Sequence, residues 1–192
     1  MIEPAITAPD PNLARQTRLR RIRLCSLVLA RCFVALAVVL TIAVLSYWLA
    51  APTASIAMDA NIPQEWLNGI GLGRRLAGFA ISFAPLACLV FALMAARRAF
   101  QAFATGDFFG QNAIRNLRYF GFGLLASAVL KPVSGAALSV LLSLDAPAGQ
   151  HRLTLGLDSD TLLTLLTAGI IAVITWVISE ASALADENAQ FI

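Results

Sequence analysis

Four apolar stretches set what this chain can fold into. They run from Cys32 to Ala51, Leu76 to Ala96, Phe120 to Leu144 and Leu162 to Ser179. Each has roughly the 20 residues that a helix rising about 1.5 Å per residue needs to cross a hydrocarbon core about 30 Å thick. A backbone in hydrocarbon must satisfy its own hydrogen bonds, which leaves helices and closed barrels, and apolar runs of this length are helical. The expected fold class is all-α, an integral membrane four-helix bundle over residues 15–192 behind a disordered tail at residues 1–14 that carries Pro4, Pro9 and Pro11. The chain has 192 residues, 59% hydrophobic and 13% charged. Once the spans are allotted, only short connections remain, with no room for a separate soluble enzyme domain.

Direction across the membrane follows from the arginines. Arg15, Arg18, Arg20, Arg21 and Arg23 precede the first span, and Arg97, Arg98, Arg115 and Arg118 lie between the second and third. Arg74, Arg75 and Arg152 lie on the other side. Translocation disfavours basic residues in short loops, so both termini are expected in the cytoplasm. The apolar core of the first run exceeds that of a typical secretory signal, and an uncleaved anchor is expected. Residues 15–31 should continue the first helix into the headgroups, with the stem of Arg31 snorkelling outward. Tyr47, Trp48, Tyr119 and Trp176 fall near span ends, where amphipathic rings favour the interface. Arginine clustered at span ends points to anionic lipid headgroups as counter-charge and away from direct nucleic-acid binding.

The outer connections carry other patterns. Pro63, Glu65, Trp66 and Leu67 suggest a short interfacial helix. Leu153, Leu155 and Leu157 alternate with Thr154 and Gly156, and Ile56 and Met58 alternate in the first outer loop. Period two is the period of a strand, so a small β-ribbon in the outer loops is expected.

Polar groups inside the apolar runs are the first candidate site. Lys131 lies near the middle of the third run, where an unpaired charge costs roughly 2.5 to 3.5 kcal/mol and should face protein or a wet cavity. Ser127, Lys131 and Ser134 share a helical face. Pro132 and Pro85 each remove a helical hydrogen bond, freeing the carbonyls of Ala128 and Ile81. The expectation is a kinked pocket in the outer half of the bilayer in which the Lys131 ammonium meets freed carbonyls and Ser82. Glu180 lies too far along its helix to join it, and Arg97 or Arg98 is its expected partner.

The second candidate is the connection from Ala99 to Arg118, which should emerge on the cytoplasmic face. Thr105-Gly106-Asp107 reads as a helix stop, because glycine tolerates the left-handed conformation that ends a helix. Phe100, Phe103, Phe108 and Phe109 surround the bend, and the sequence closes with Asp186-Glu187-Asn188-Ala189-Gln190-Phe191-Ile192. The set of Gly106, Phe109, Asn112, Leu117 and Arg118, with Glu187 and Asn188 in the tail, resembles the four-span bacterial membrane family catalogued as domain of unknown function 2975. The departure is Gly110, where a serine or threonine cap would be usual. The resemblance implies no established catalytic residues. It also implies a bacterial cytoplasmic (inner) membrane location and, because members often resemble partners of small helix-turn-helix regulators, a signalling context. Arg115 or Arg118 is expected to contact Glu187, with Asn112 or Asn188 capping nearby backbone.

Patterns that carry chemistry are scarce. No phosphate-binding loop, dinucleotide fingerprint, paired metal-ligand histidines or close cysteine pair occurs, so no metal or cofactor is expected. Cys25, Cys32 and Cys88 read as small apolar fillers. His151, the single histidine, sits in an outer loop. Three readings follow. The favoured one is a non-enzymatic regulatory or assembly partner with a cytoplasmic face for another protein. The second is a small transporter or channel subunit, a homo-oligomer using Lys131 and the Pro85 and Pro132 kinks. An intramembrane enzyme comes last, for want of a nucleophile and base at matching depth.

Overall fold

The computed structural model describes the backbone of residues 11–59, 70–106, 110–144 and 159–190, with side chains described for these except 11–19, 59, 182–183 and 185–190. Five helices follow in order: α1 (Pro11–Ala50), α2 (Thr53–Asp59), α3 (Leu72–Thr105), α4 (Gln111–Leu142) and α5 (Ser159–Gln190). The segments Arg20–Ala50, Leu72–Thr105, Gln111–Leu142 and Ser159–Ala181 are each long and apolar enough to cross a membrane. The expected spans are therefore present, within helices that begin before them, although α1 and α4 stop at Ala50 and Leu142, short of the expected Ala51 and Leu144. Hydropathy marks where lipid begins and not where the hydrogen-bond ladder ends.

Local chemistry stops these helices. α1 ends just before Pro52, which cannot continue it, and the α2 turn begins on the Pro52 carbonyl, which accepts from the amides of Ser55 and Ile56. Arg75 Nη1 then donates to the carbonyls of Trp48 at 2.9 Å, Leu49 at 3.3 Å and Ala51 at 3.0 Å. A cation there satisfies carbonyls that the helix end leaves open and complements the negative end of its dipole. α3 ends as expected at Gly106, whose φ of 92° lies in the left-handed region. A Cβ at Gly106 would lie 3.8 Å from Nη2 of Arg23, so an α1 arginine sits over the end of α3.

The long helices pack in chain order. α1 lies against α3, α3 against α4 and α4 against α5, with no backbone contact between α1 and α5 among the described residues. The result is an open row, with α1 and α5 as its edges. One apolar cluster ties the end of the row that carries Arg75, with Trp48, Ile56, Ala57, Ile70 and Leu142 buried together. A second, made by Ala92, Leu124 and Ala168, joins α3, α4 and α5 lower down. Two contacts allow no side chain: a Cβ at Gly78 would fall 2.2 Å from the Trp48 ring, and one at Gly123 would fall 2.8 Å from the Cβ of Ala92. With lipid as apolar as leucine, small residues that let backbones approach drive such packing.

Three expectations need correction. No strand occurs among the described residues, and Ile56 and Met58, assigned to a β-ribbon, lie in helix α2 with Ile56 fully buried. Two alternating residues over three positions fit one turn of helix as well as a strand, and packing against Trp48 decides between them. Trp48 itself is 4% exposed and so is a core residue, not an interfacial ring. The first helix begins at Pro11, so residues 11–14 of the expected tail are helical; proline is tolerated in a first turn. Residues 1–10, the Pro63 to Leu67 segment, and Leu153, Leu155 and Leu157 lie outside the described residues.

Candidate functional site

Ring contacts fix the relative heights of the helices. Phe33 of α1 meets Phe100 of α3, with ring centroids 5.5 Å apart, and Phe120 of α4 at 6.4 Å. Arg31, Arg97, Arg98 and Arg118 each lie within a turn of one of these rings, so arginines from three helices share one level. On α3 the 22 residues from Arg97 back to Arg75 span about 33 Å, close to the thickness of a hydrocarbon core. The molecule thus carries two basic boundaries, a crowded one at the Phe33 level and a sparse one at Arg75.

Between them lies the Lys131 candidate, and its partners differ from those expected. Lys131 Nζ donates to Asp160 Oδ2 at 2.5 Å, forming an ion pair with side chains 43% and 76% exposed. Ser82 is not part of this group: its hydroxyl accepts from Trp48 Nε1 at 3.0 Å. Ser127 Oγ donates to the carbonyl of Pro85 at 2.9 Å, across the α3/α4 seam, and Ser134 is buried. Pro85 and Pro132 both lie inside continuous helices. The expected cluster is therefore divided, with Ser127 serving the seam to α3 and Lys131 turned to α5. Lys131 lies 13 residues past Arg118, about 20 Å above the crowded boundary and so within the half of the membrane nearer Arg75. Asp160 was missed because it precedes the fourth apolar run and reads as loop. The available signal was an acidic residue in a first helical turn, where the helix dipole favours it.

At the crowded boundary the expected contacts also change. Arg115 Nη2 donates to Asn112 Oδ1 at 3.0 Å, and Asn116 Nδ2 donates to the Asn112 carbonyl at 2.8 Å. The N-terminus of α4 is formed at Gly110 without a side-chain cap, so Asn112 orients an arginine and does not cap backbone. Leu117 is half-buried, and Arg118 makes no hydrogen bond or ion pair among the described residues. Phe109 and the side chains of Glu187 and Asn188 lie outside the described residues. The register opposes a contact of Glu187 with Arg115 or Arg118. With Lys131 opposite Asp160, Glu187 stands 27 residues along α5, about 40 Å, whereas Arg115 stands 16 residues along α4, about 24 Å. Glu180 is exposed and forms no ion pair with Arg97 or Arg98.

One feature was not visible in the sequence. α4 and α5 part into a groove of about 390 Å³ lined by Gly121, Phe122, Leu125, Leu165, Ala168, Gly169, Ala172, Thr175 and Trp176, with Arg118 at one end. Its floor is of small residues, and Trp176 on its rim is 70% exposed. Thr175 is buried and internally satisfied, its hydroxyl donating to the Ile171 carbonyl at 2.7 Å. Arg118 is the single charged residue of the lining. Which helix faces diverge is set by the interhelical crossing, which no local pattern encodes. Among the described residues, no group of three or more His, Cys, Asp or Glu side chains is placed to hold a metal ion.

Four apolar helices of spanning length in an all-helical fold define a multi-pass membrane protein. The family model described as protein of unknown function (DUF2975) matches residues 65–192, and the chain belongs to that family. The match begins after α1 and α2 and takes in α3, α4 and α5, with both candidate sites. No curated protein and no solved structure matches the chain.

Proposed function

We propose that this protein is a non-enzymatic regulatory or assembly partner in a bacterial cytoplasmic membrane, with both termini inside and its arginine-rich end offered to another protein. The observation that carries this reading is how far the helices run past that boundary. α1 begins 20 residues before Arg31, and α5 continues ten residues beyond Glu180 to Gln190. These extensions are about 30 and 15 Å of helix that no crossing of the bilayer requires. An even number of spans puts both on one side, and the basic excess assigns that side to the cytoplasm. The partner class that the family resemblance implies is a small helix-turn-helix regulator, and binding through it keeps this chain off nucleic acid.

The test is purification of the full chain from its own membranes in gentle detergent, with mass spectrometry of what remains bound. The expected result is a stoichiometric soluble protein that is lost when Asp186, Glu187 and Asn188 are replaced by alanine and kept in Asp160→Ala. A cysteine at either end that reacts with an impermeant thiol reagent from outside whole cells would overturn the orientation. The Lys131–Asp160 pair favours a second reading, a transporter subunit acting as a homo-oligomer. Ion flux into vesicles that disappears in Lys131→Met would establish that reading in place of the first.

A further inference from the structure

We propose that the α4/α5 groove is a binding site for one anionic phospholipid of the leaflet at the crowded arginine boundary, its phosphate on Arg118 and one acyl chain laid between the helices. The lining is apolar except at one end, and at that end stands an arginine with no hydrogen bond or ion pair among the described residues. A guanidinium offers a fork of donors matched to phosphate oxygens. Height agrees with chemistry, because Arg118 shares the level of Arg31, Arg97 and Arg98, where headgroups lie. Length agrees as well: from Trp176 to Leu165 the groove follows 11 residues of α5, about 16 Å, and one leaflet contributes about half of a core about 30 Å thick. The floor of Gly121, Ala168, Gly169 and Ala172 lets a chain lie close to both backbones, and the exposed Trp176 ring borders the headgroup end. A second copy is the poorer occupant. A two-fold contact through this groove would bring two unpaired Arg118 guanidinia toward each other in a medium that screens little.

The experiment uses the full chain in phosphatidylcholine vesicles containing a minor fraction of phosphatidylglycerol with brominated acyl chains, and reads quenching of tryptophan fluorescence. The Trp176 contribution is the difference from Trp176→Phe. Brominated phosphatidylglycerol should quench Trp176 at a lower mole fraction than brominated phosphatidylcholine, by about five-fold if one arginine near an anionic surface contributes its usual share. Arg118→Gln should remove that preference, whereas Arg98→Gln, an exposed arginine of the same boundary outside the groove, should preserve it. A Cβ at Gly169 meets nothing within 4 Å, so Gly169→Leu fills the groove without disturbing the helices and should reduce quenching by both lipids.

Equal quenching by the two lipids in the unmodified chain would overturn the proposal, as would equal losses in Arg118→Gln and Arg98→Gln, which would signify only a diffuse surface charge. Quenching by both lipids that rises in Gly169→Leu would also overturn it and identify a protein as the occupant. Circular dichroism of each variant supplies the folding control.

Discussion

The two ends of the helix row are held by different means. At the Arg75 end, polar side chains are committed to partners within the chain: Trp48 donates to Ser82, Arg75 closes three carbonyls of α1, and Lys131 binds Asp160 across to α5. At the Phe33 end, tilted aromatic rings pack α1, α3 and α4 together while, among the described residues, Arg118 makes no hydrogen bond or ion pair and Arg115 meets its neighbour Asn112. One end has its polar groups committed to the fold, and the other leaves them for something outside the chain. Substitutions at the first should therefore change stability, and substitutions at the second should change binding.

The largest expected effect that tests this contrast is Gly78→Val. Its Cβ would overlap the buried Trp48 ring, and overpacking of this kind costs up to about 3 kcal/mol; thermal unfolding in detergent should show a marked fall in Tm. Next comes the ion pair. Lys131→Met leaves the Asp160 carboxylate, 76% exposed, without its cation, and up to about 1 kcal/mol should be lost, much of it recovered in the double variant Lys131→Met with Asp160→Leu. Absence of recovery would mean that Lys131 serves some group other than Asp160. Ser82→Ala removes the acceptor of the Trp48 indole N–H and should cost about 0.6 kcal/mol, the average for an interhelical hydrogen bond in a membrane. Smallest of all, Arg115→Gln breaks an exposed contact and should shift stability by no more than about 0.5 kcal/mol. A loss at Arg115 equal to that at Gly78 would erase the distinction between the ends.

The spans could be read from sequence because lipid imposes a one-dimensional requirement, an apolar length, that each segment meets alone. The stop at Gly106 was readable for a similar reason, since the left-handed turn needs only local residues. What failed were statements about faces. Trp48 lies near a span end, as an interfacial ring would, yet its indole turns inward because Gly78 leaves a space that fits it. Lys131 was correctly expected to find a partner, but Asp160 lies 29 residues away across a connection that no periodicity spans. Ser82 and Ser127 shared a depth with the kinks, and depth alone does not choose among neighbouring helices. The Arg118 end of the groove carries a motif that sequence can show, whereas its apolar wall on α5 carries none.

The row has one more consequence, which concerns how it is built. Among the described residues the backbones of the long helices approach only their neighbours in chain order, and the α1 ring that reaches α4, Phe33, also packs on Phe100 of α3, so a segment entering the bilayer during synthesis already has its main packing surface waiting. Contacts of short loop separation close quickly and leave little opportunity for mispairing. Reversing two adjacent segments in the gene would make both depend on surfaces not yet synthesised. Such a rearranged chain should linger at the insertion machinery and be degraded there, although every apolar length in it is unchanged.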